Sequence, residues 1–473
     1  MMSLRAPLIL VVLTLAVVTT GCAASTERTG SVPESAKLAP ADAVGFVTVV
    51  TDESSEQWEK ADRLLGLFPD ARVEVLGAVR TELAQEDLTW KDDVGPALGD
   101  ELVVVVTAAR KPVLLVQPEN ADALSALIAQ SDDPLVQGTV SGWTALAETQ
   151  TELDAYRAAL GRGTLDGVDS FSDAMTGLPE EALVRGWVDF AALARDLASA
   201  FEQSGVQGEL GVDWLAAALT AEDDGVHLSV GVRTPGGNGS SYEPELFERV
   251  PADAVAALSF GGTQGTLDRI EDAVDVDSVS SALEDAVGVS LDGVLEALSG
   301  EGLLYVREGG EDLPEVTVVL APPDPAKTFD TVDRVARTLA RETGAEVRTR
   351  TDGGLTLHEL TVEGISMTYA RVDDSVMVTT GPTGIADFHG DGPKLVDDDA
   401  FASAADRVGL GDRTRGFAYV DIDGLVPLVE SLAGPDAVPA EARDVLGTLD
   451  SLILQGSGDG ETTALSGFLR VTR

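Results

Sequence analysis

Pro40-Ala41-Asp42-Ala43-Val44 recurs unchanged as Pro251-Ala252-Asp253-Ala254-Val255, and each copy runs directly into an apolar stretch, Gly45–Val50 and Ala256–Phe260. Five identical residues carry little weight alone in an Ala- and Asp-rich chain. The shared order of the landmarks downstream decides the matter. Behind the first copy, Ser54-Ser55 opens a segment in which Trp58, Ala61, Leu64, Leu65 and Phe68 fall at helical spacing. Val94-Gly95-Pro96-Ala97-Leu98-Gly99 then precedes the strand-like Leu102–Val106, as Val294-Leu295-Glu296-Ala297-Leu298-Ser299-Gly300 precedes Leu303–Val306. A second apolar strand comes next in both, Val113–Val116 and Val316–Leu320. In the second copy, Phe329, Val332, Val335 and Leu339 mark the expected buried stripe of the next helix.

Later landmarks keep the same order. Asp169-Ser170-Phe171 parallels Asp399-Ala400-Phe401, and Trp187-Val188-Asp189 parallels Tyr419-Val420-Asp421. Each copy closes on a strand, Leu228–Thr234 and Leu465–Thr472. Residues 38–235 and 247–473 therefore read as homologous domains of ordinary size, joined by a Gly- and Ser-containing linker at 236–246. Short turns such as Val362-Glu363-Gly364 and Val372-Asp373-Asp374 predict antiparallel pairing. The expected fold is α+β: two tandem homologous domains, each a curved, mostly antiparallel sheet with helices packed on one face.

The one cysteine, Cys22, ends the segment Val18-Thr19-Thr20-Gly21-Cys22. A single cation, Arg5, leads into eleven mostly apolar residues from Leu8 to Val18. As a helix these would reach ~16 Å, about half a bilayer core, so the run is too short to span. Residues 1–21 fit a lipoprotein signal peptide whose cleavage leaves Cys22 first, with diacylglycerol on its sulfur. Thr19 departs from the Leu usual at that place, and a simple secreted form is the alternative. Residues 22–37 then read as the lipidated Cys and a flexible tether. With Cys22 carrying lipid, no thiol remains for disulfides, thiolate catalysis or metal binding.

The net charge is −49, from 81 acids against 32 Lys and Arg. Removing the signal takes away only Arg5, which leaves −50. Such a field offers phosphates no basic patch, so nucleic acid is excluded as a partner. The acids are interspersed with apolar segments at 44% hydrophobic content, the composition of a globular protein with an acidic surface.

The Pro-Ala-Asp strand opening, the Trp-bearing amphipathic helix and the block Leu88-Thr89-Trp90 … Pro96-Ala97-Leu98-Gly99-Asp100-Glu101 resemble the bacterial proteins grouped as domain of unknown function 3352. The resemblance covers most of residues 38–473 and implies an exported, often membrane-anchored envelope protein. It supplies no activity and no site residues.

A search for chemistry returns little. Three histidines, His227, His358 and His389, limit any acid–base or metal scheme. His227 and His358 sit in strand-like stretches and read as packed histidines. His389 in Asp387-Phe388-His389 is the best divalent-cation candidate, although a Gly- and Asp-rich turn explains it equally well. Gly261-Gly262-Thr263-Gln264-Gly265 lies between strand and helix but reads as a plain turn. Asp397-Asp398-Asp399, the densest acidic run, reads as a loop entering a helix. Asp189 and Asp421 recur, yet each stands where a carboxylate caps a helix. No Gly-x-Ser-x-Gly or Walker-type motif occurs. The expectation is a non-catalytic envelope lipoprotein that binds a protein or envelope component, with no cofactor and with Cys22 as lipid attachment site. The alternatives are a carrier of an apolar or lipid ligand and, less favoured, a carboxylate-based hydrolase.

Overall fold

The structure is a computed structural model that describes residues 30–68, 88–130, 135–193, 211–237, 241–261, 289–309, 313–434, 437–458 and 460–472. The fold is α+β, built on antiparallel sheet. The chain divides into two compact units. Unit 1 comprises Met1–Gly237 with Glu461–Ser466, and unit 2 comprises Asn238–Gly460 with Gly467–Thr472.

In unit 1 the described elements are β1 (Gly45–Val50), α1 (Glu56–Gly66), α2 (Gly95–Leu98), β2 (Glu101–Val106), β3 (Pro112–Val116), α3 (Ala121–Gln130), β4 (Val136–Val140), β5 (Trp143–Ala147), α4 (Gln150–Leu160), α5 (Asp169–Thr176), β6 (Val184–Asp189), β7 (Trp214–Glu222) and β8 (Gly225–Arg233). Helix α1 starts where the sequence predicts, with the Ser55 hydroxyl accepting the Trp58 N–H at 3.3 Å. The strands pair antiparallel in the order β4-β5-β3-β2-β1-β6-β7-β8.

Successive strand residues point to opposite faces, and in β2 four consecutive residues, Leu102–Val105, are buried. Both faces are therefore covered. Phe46, Val103, Val105 and Leu115 pack with Leu153 and Tyr156 of α4 and Phe171 and Met175 of α5. Leu102, Val104, Val116 and Leu146 pack on the opposite side with Ala97 of α2 and Leu124 of α3. The expectation of helices on one face only is thereby corrected: an all-aliphatic strand would leave a wet apolar face unless a second layer covered it.

Unit 2 contains β9 (Ala254–Gly261), α6 (Leu291–Ala297), β10 (Glu301–Arg307), β11 (Glu315–Ala321), α7 (Pro325–Thr343), β12 (Arg348–Asp352), β13 (Leu355–Val362), β14 (Ile365–Val372), β15 (Ser375–Thr379), α8 (Gly384–His389), α9 (Asp399–Val408), β16 (Gly416–Asp421), α10 (Ile422–Ala433), α11 (Ala440–Leu446), β17 (Leu449–Ser457) and β18 (Thr462–Val471), of which residues 467–471 belong to this unit. The antiparallel order is β12-β13-β14-β15-β11-β10-β9-β16-β17. The β13–β14 turn holds Glu363 and Gly364 both at positive φ (51° and 89°), the geometry of a two-residue hairpin matched to strand twist. Here too helices lie on both faces, although on the second face Leu258 of β9 stays exposed. Leu303, Tyr305 and Met377 pack with Phe388 of α8 and Phe401 of α9, while Leu360 and Tyr369 pack with Ala336 and Ala340 of α7. The stripe expected on α7 is rotated: Phe329 and Val332 reach the cluster, Leu339 is exposed, and the alanines sit deepest. Small side chains let this helix approach the strands closely.

Candidate functional site

Cys22 and the Gly262–Gly265 turn lie outside the described residues. The chain beyond Cys22 is described from Gly30. Residues 30–39, most of which the sequence assigns to a flexible tether, pack onto unit 1 as a strap. Glu34–Leu38 forms a 3-10 turn with Ser35, Ala36 and Leu38 buried. The Gly30 N–H donates to the Thr176 carbonyl at 2.9 Å, and the Leu165 N–H to the Ala39 carbonyl at 2.9 Å. The Tyr156 hydroxyl donates to the Leu38 carbonyl.

The strap's firmest contact is Arg185. This residue of β6 is 5% exposed, and its Nη2 donates to the carbonyls of Ser31 and Met175, each at 2.8 Å. Burial pulls its affinity for the proton down, countered by the charges of Glu180 and Glu101. Glu101, at the start of β2, is itself pushed up by burial, opposed by the Ser35 hydroxyl (3.4 Å) and by Arg185.

Unit 2 has a counterpart strap. Phe247–Arg249 forms a 3-10 turn before Pro251, and the Leu395 N–H donates to the Val250 carbonyl at 2.9 Å. Glu301, at the start of β10, accepts the Leu246 N–H at 2.8 Å. Burial raises its carboxyl from 4.5 to about 7, helped by Glu245 and Glu248 and opposed by that N–H. On β16 the residue two before Tyr419 is Phe417, whose ring meets Phe247 edge-on at 4.4 Å. The second strap is thus held by rings, the first by a buried guanidinium.

The recurrent aspartates are structural in contact. Asp189 Oδ1 accepts the Ala192 N–H at 2.8 Å, and Asp421 Oδ1 caps α10 through the Gly424 N–H at 3.0 Å. Asp398 caps α9 through the Ala400 and Phe401 N–H groups, both at 2.9 Å. The Asp of the opening motif meets an arginine in each unit: Asp42 with Arg162 at 2.8 Å, Asp253 with Arg307 at 3.2 Å.

Arg307, itself buried, is the hub of an ionic cluster, binding buried Glu315 at 2.6 Å and the partly exposed Asp387 at 2.9 Å. Burial disfavours its charge, but Glu315 and Asp387 outweigh that and raise its affinity for the proton. Burial likewise opposes ionisation of Asp387, and the bonds from Thr383 and Arg307 prevail and hold its carboxyl low. Asp387 and His389, two apart in the sequence, turn to different partners. Asp387 turns to Arg307, while His389 Nδ1 lies 3.8 Å from Asp373. Among the described residues no group of three or more His, Cys, Asp or Glu is placed to hold a metal.

His227 is buried and bonded to Ser466 at 2.7 Å. His358 stacks on Tyr369 at 5.2 Å, and its Nδ1 lies 3.9 Å from Asp333. The Tyr369 hydroxyl donates to Asp333 at 2.7 Å, and Arg337 binds the same carboxylate at 2.6 Å. Burial works against the Asp333 charge, yet those two bonds keep it below the usual carboxylate range. This cluster ties α7 to β13 and β14. Sequence reasoning missed Arg185, Arg307 and the Glu101/Glu301 pair. A signal existed for each: both glutamates end the recurring block before a strand, and the two arginines are lone cations within apolar strands.

No family model matches the chain, and no curated protein matches it. Solved structures of TP0453 align with it: crystal form III over 47% of this chain and 93% of that one, at 11% identity and a TM-score of 0.24. Crystal form I covers 46% and 74% at 12% identity and 0.24, and crystal form IV 49% and 94% at 11% and 0.25. Likeness at this level carries no argument. No helix among the described residues is long and apolar enough to cross a membrane.

Proposed function

We propose that the chain is a non-catalytic, extracytoplasmic lipoprotein of a bacterial envelope, held on the outer face of the cytoplasmic membrane by acyl chains on Cys22. In this reading it belongs with the domain of unknown function 3352 proteins, and its two homologous domains form a binding module for an envelope component. The observation that carries it is that recurrent residues make recurrent structural contacts. Pro40 bridges Thr164 as Pro251 bridges Lys394. Phe171 meets Trp187 edge-on at 5.3 Å as Phe401 meets Tyr419 at 5.1 Å. The strand order β3-β2-β1-β6-β7 is matched by β11-β10-β9-β16-β17. What was duplicated is a framework, and its carboxylates cap helices or pair with arginines.

A second reading, carrier of an apolar ligand, is favoured by one feature of unit 2. Val318, Leu304, Leu258, Ala418 and Leu454 form a cross-strand apolar row, and Leu258 on the interior strand β9 is 44% exposed. Native mass spectrometry of the protein drawn from its own envelope, intact and after release below the anchor, separates the two. A discrete small mass on the released domains would establish a carrier; a bound protein would establish the interaction module. A turnover activity abolished by one substitution would overturn both.

A further inference from the structure

The strap changes where the folded protein begins relative to its anchor. Gly30 is fixed by a backbone bond to Thr176, and Ser31 by buried Arg185. Residues 23–29 separate Cys22 from Gly30. That span reaches at most about 28 Å when fully extended. Were Leu38 the first residue held, the limit would be about 56 Å. A compact unit of about 200 residues has a radius of gyration of about 17 Å, so the shorter span is less than the unit's own width.

Resting on the reading that Cys22 carries lipid, we infer that the end of unit 1 bearing Gly30, Thr176 and Glu180 is a membrane-facing surface, set against neutral or zwitterionic headgroups by the clamped strap. The lipid class is set by charge. Asp173, Glu180 and Glu181 are exposed around the strap's exit, and Glu34 offsets the exposed Lys37 at 3.7 Å, so the balance is negative, anionic headgroups are repelled and attachment comes from the acyl chains alone. The β2–β3 turn points away. β2 leaves the strap at Glu101, where Ser35 binds, and runs six residues to Val106 before the Thr107–Lys111 turn. At ~3.3 Å per residue that places the turn about 20 Å beyond Glu101, at the end of the sheet where the Val106 carbonyl accepts the Val44 N–H and away from the Gly30 end of the strap. Arg185 is a positioning residue in this scheme, for it converts a loose tether into a short one. Unit 2, whose strap comes after a linker, is fastened at the matching strand position by Phe417 instead.

The test uses the acylated full chain in phosphatidylcholine vesicles. Acylated Cys22 has no free thiol, so Thr176→Cys or Ala109→Cys supplies the sole site for a spin label. Both positions are exposed. With a paramagnetic metal chelated to lipid headgroups, the label at 176 should relax several-fold faster than the label at 109. Arg185→Met should shrink that contrast. Ten Gly/Ser residues inserted after Ser25, outside the described residues, should abolish it even if Arg185→Met fails to fold. Equal relaxation at both sites in the parent chain would overturn the inference, as would a contrast that survives the insertion. The mass of the same sample separates the two failures: an unacylated Cys22 would refute the lipoprotein reading itself.

Discussion

Replacing Glu301 by Gln should stabilise unit 2 above neutral pH and leave it unchanged in acid. The carboxylate at 301 accepts the Leu246 N–H, and Gln can accept the same bond without a charge. Burial, with Glu245 and Glu248 nearby, lifts the folded-state value from 4.5 to about 7. Between those values the folded chain holds a proton that the unfolded chain has released. Stability from this group is therefore full below about pH 4.5 and falls as pH rises through 7, the reverse of a salt-bridged acid. At ~1.4 kcal/mol per pH unit the whole separation is worth about 3 kcal/mol. Solvent reaching a half-buried side chain reduces that to about 1–2 kcal/mol. The assay is urea unfolding by far-ultraviolet circular dichroism at pH 5, 6, 7 and 8, with amide exchange at Leu246 as a local probe. All five tryptophans precede residue 215, so their fluorescence reports unit 1 as an internal control. Parent and Glu301→Gln curves should coincide near pH 5 and diverge by about 1–2 kcal/mol at pH 8. Parallel pH profiles would refute the reasoning.

Phe171→Ala should cost unit 1 about 3–5 kcal/mol, since the ring is fully buried between Phe46 and Trp187, and tryptophan fluorescence should detect the lowered midpoint. Arg307→Met should destabilise unit 2 by about 3–5 kcal/mol by leaving buried Glu315 without its partner, whereas exchanging both Arg307 and Glu315 for apolar residues should recover much of the loss in urea unfolding. Tyr156→Phe should cost about 1 kcal/mol and speed amide exchange or proteolysis in residues 30–39, because the Leu38 carbonyl loses its donor. Leu258→Asn should leave the unfolding midpoint nearly unchanged but weaken binding of a fluorescent fatty acid; unaltered binding would remove the support for a carrier.

Much of the framework is legible in the sequence because it depends on local pattern. Ser55, Asp398 and Asp421 stand where helices begin, and Glu363-Gly364 where a hairpin turns. Apolar runs such as Leu102–Val106 mark strands, although their unbroken character is also the sign that both faces would be covered. Interactions between distant residues are not legible. Arg185 finds Ser31, 154 positions away, and Arg307 gathers Asp253, Glu315 and Asp387 from three separate elements. Neither set has a spacing that a linear search can recognise.

The sequence by itself determined the recurring order of landmarks, the antiparallel α+β class and the placement of a lone cysteine at the end of an apolar run. Each comes from periodicity, turn chemistry and composition, which act over a few neighbouring residues. Only the tertiary structure decided that helices lie on both faces, that Asp387 serves Arg307, and that the chain is gripped from Gly30 onward. These outcomes depend on which buried polar groups find partners once the chain is compact. A guanidinium removed from water must bond whatever carbonyls or carboxylates the fold brings to it, and for Arg185 those carbonyls include one from the strap, 154 positions away.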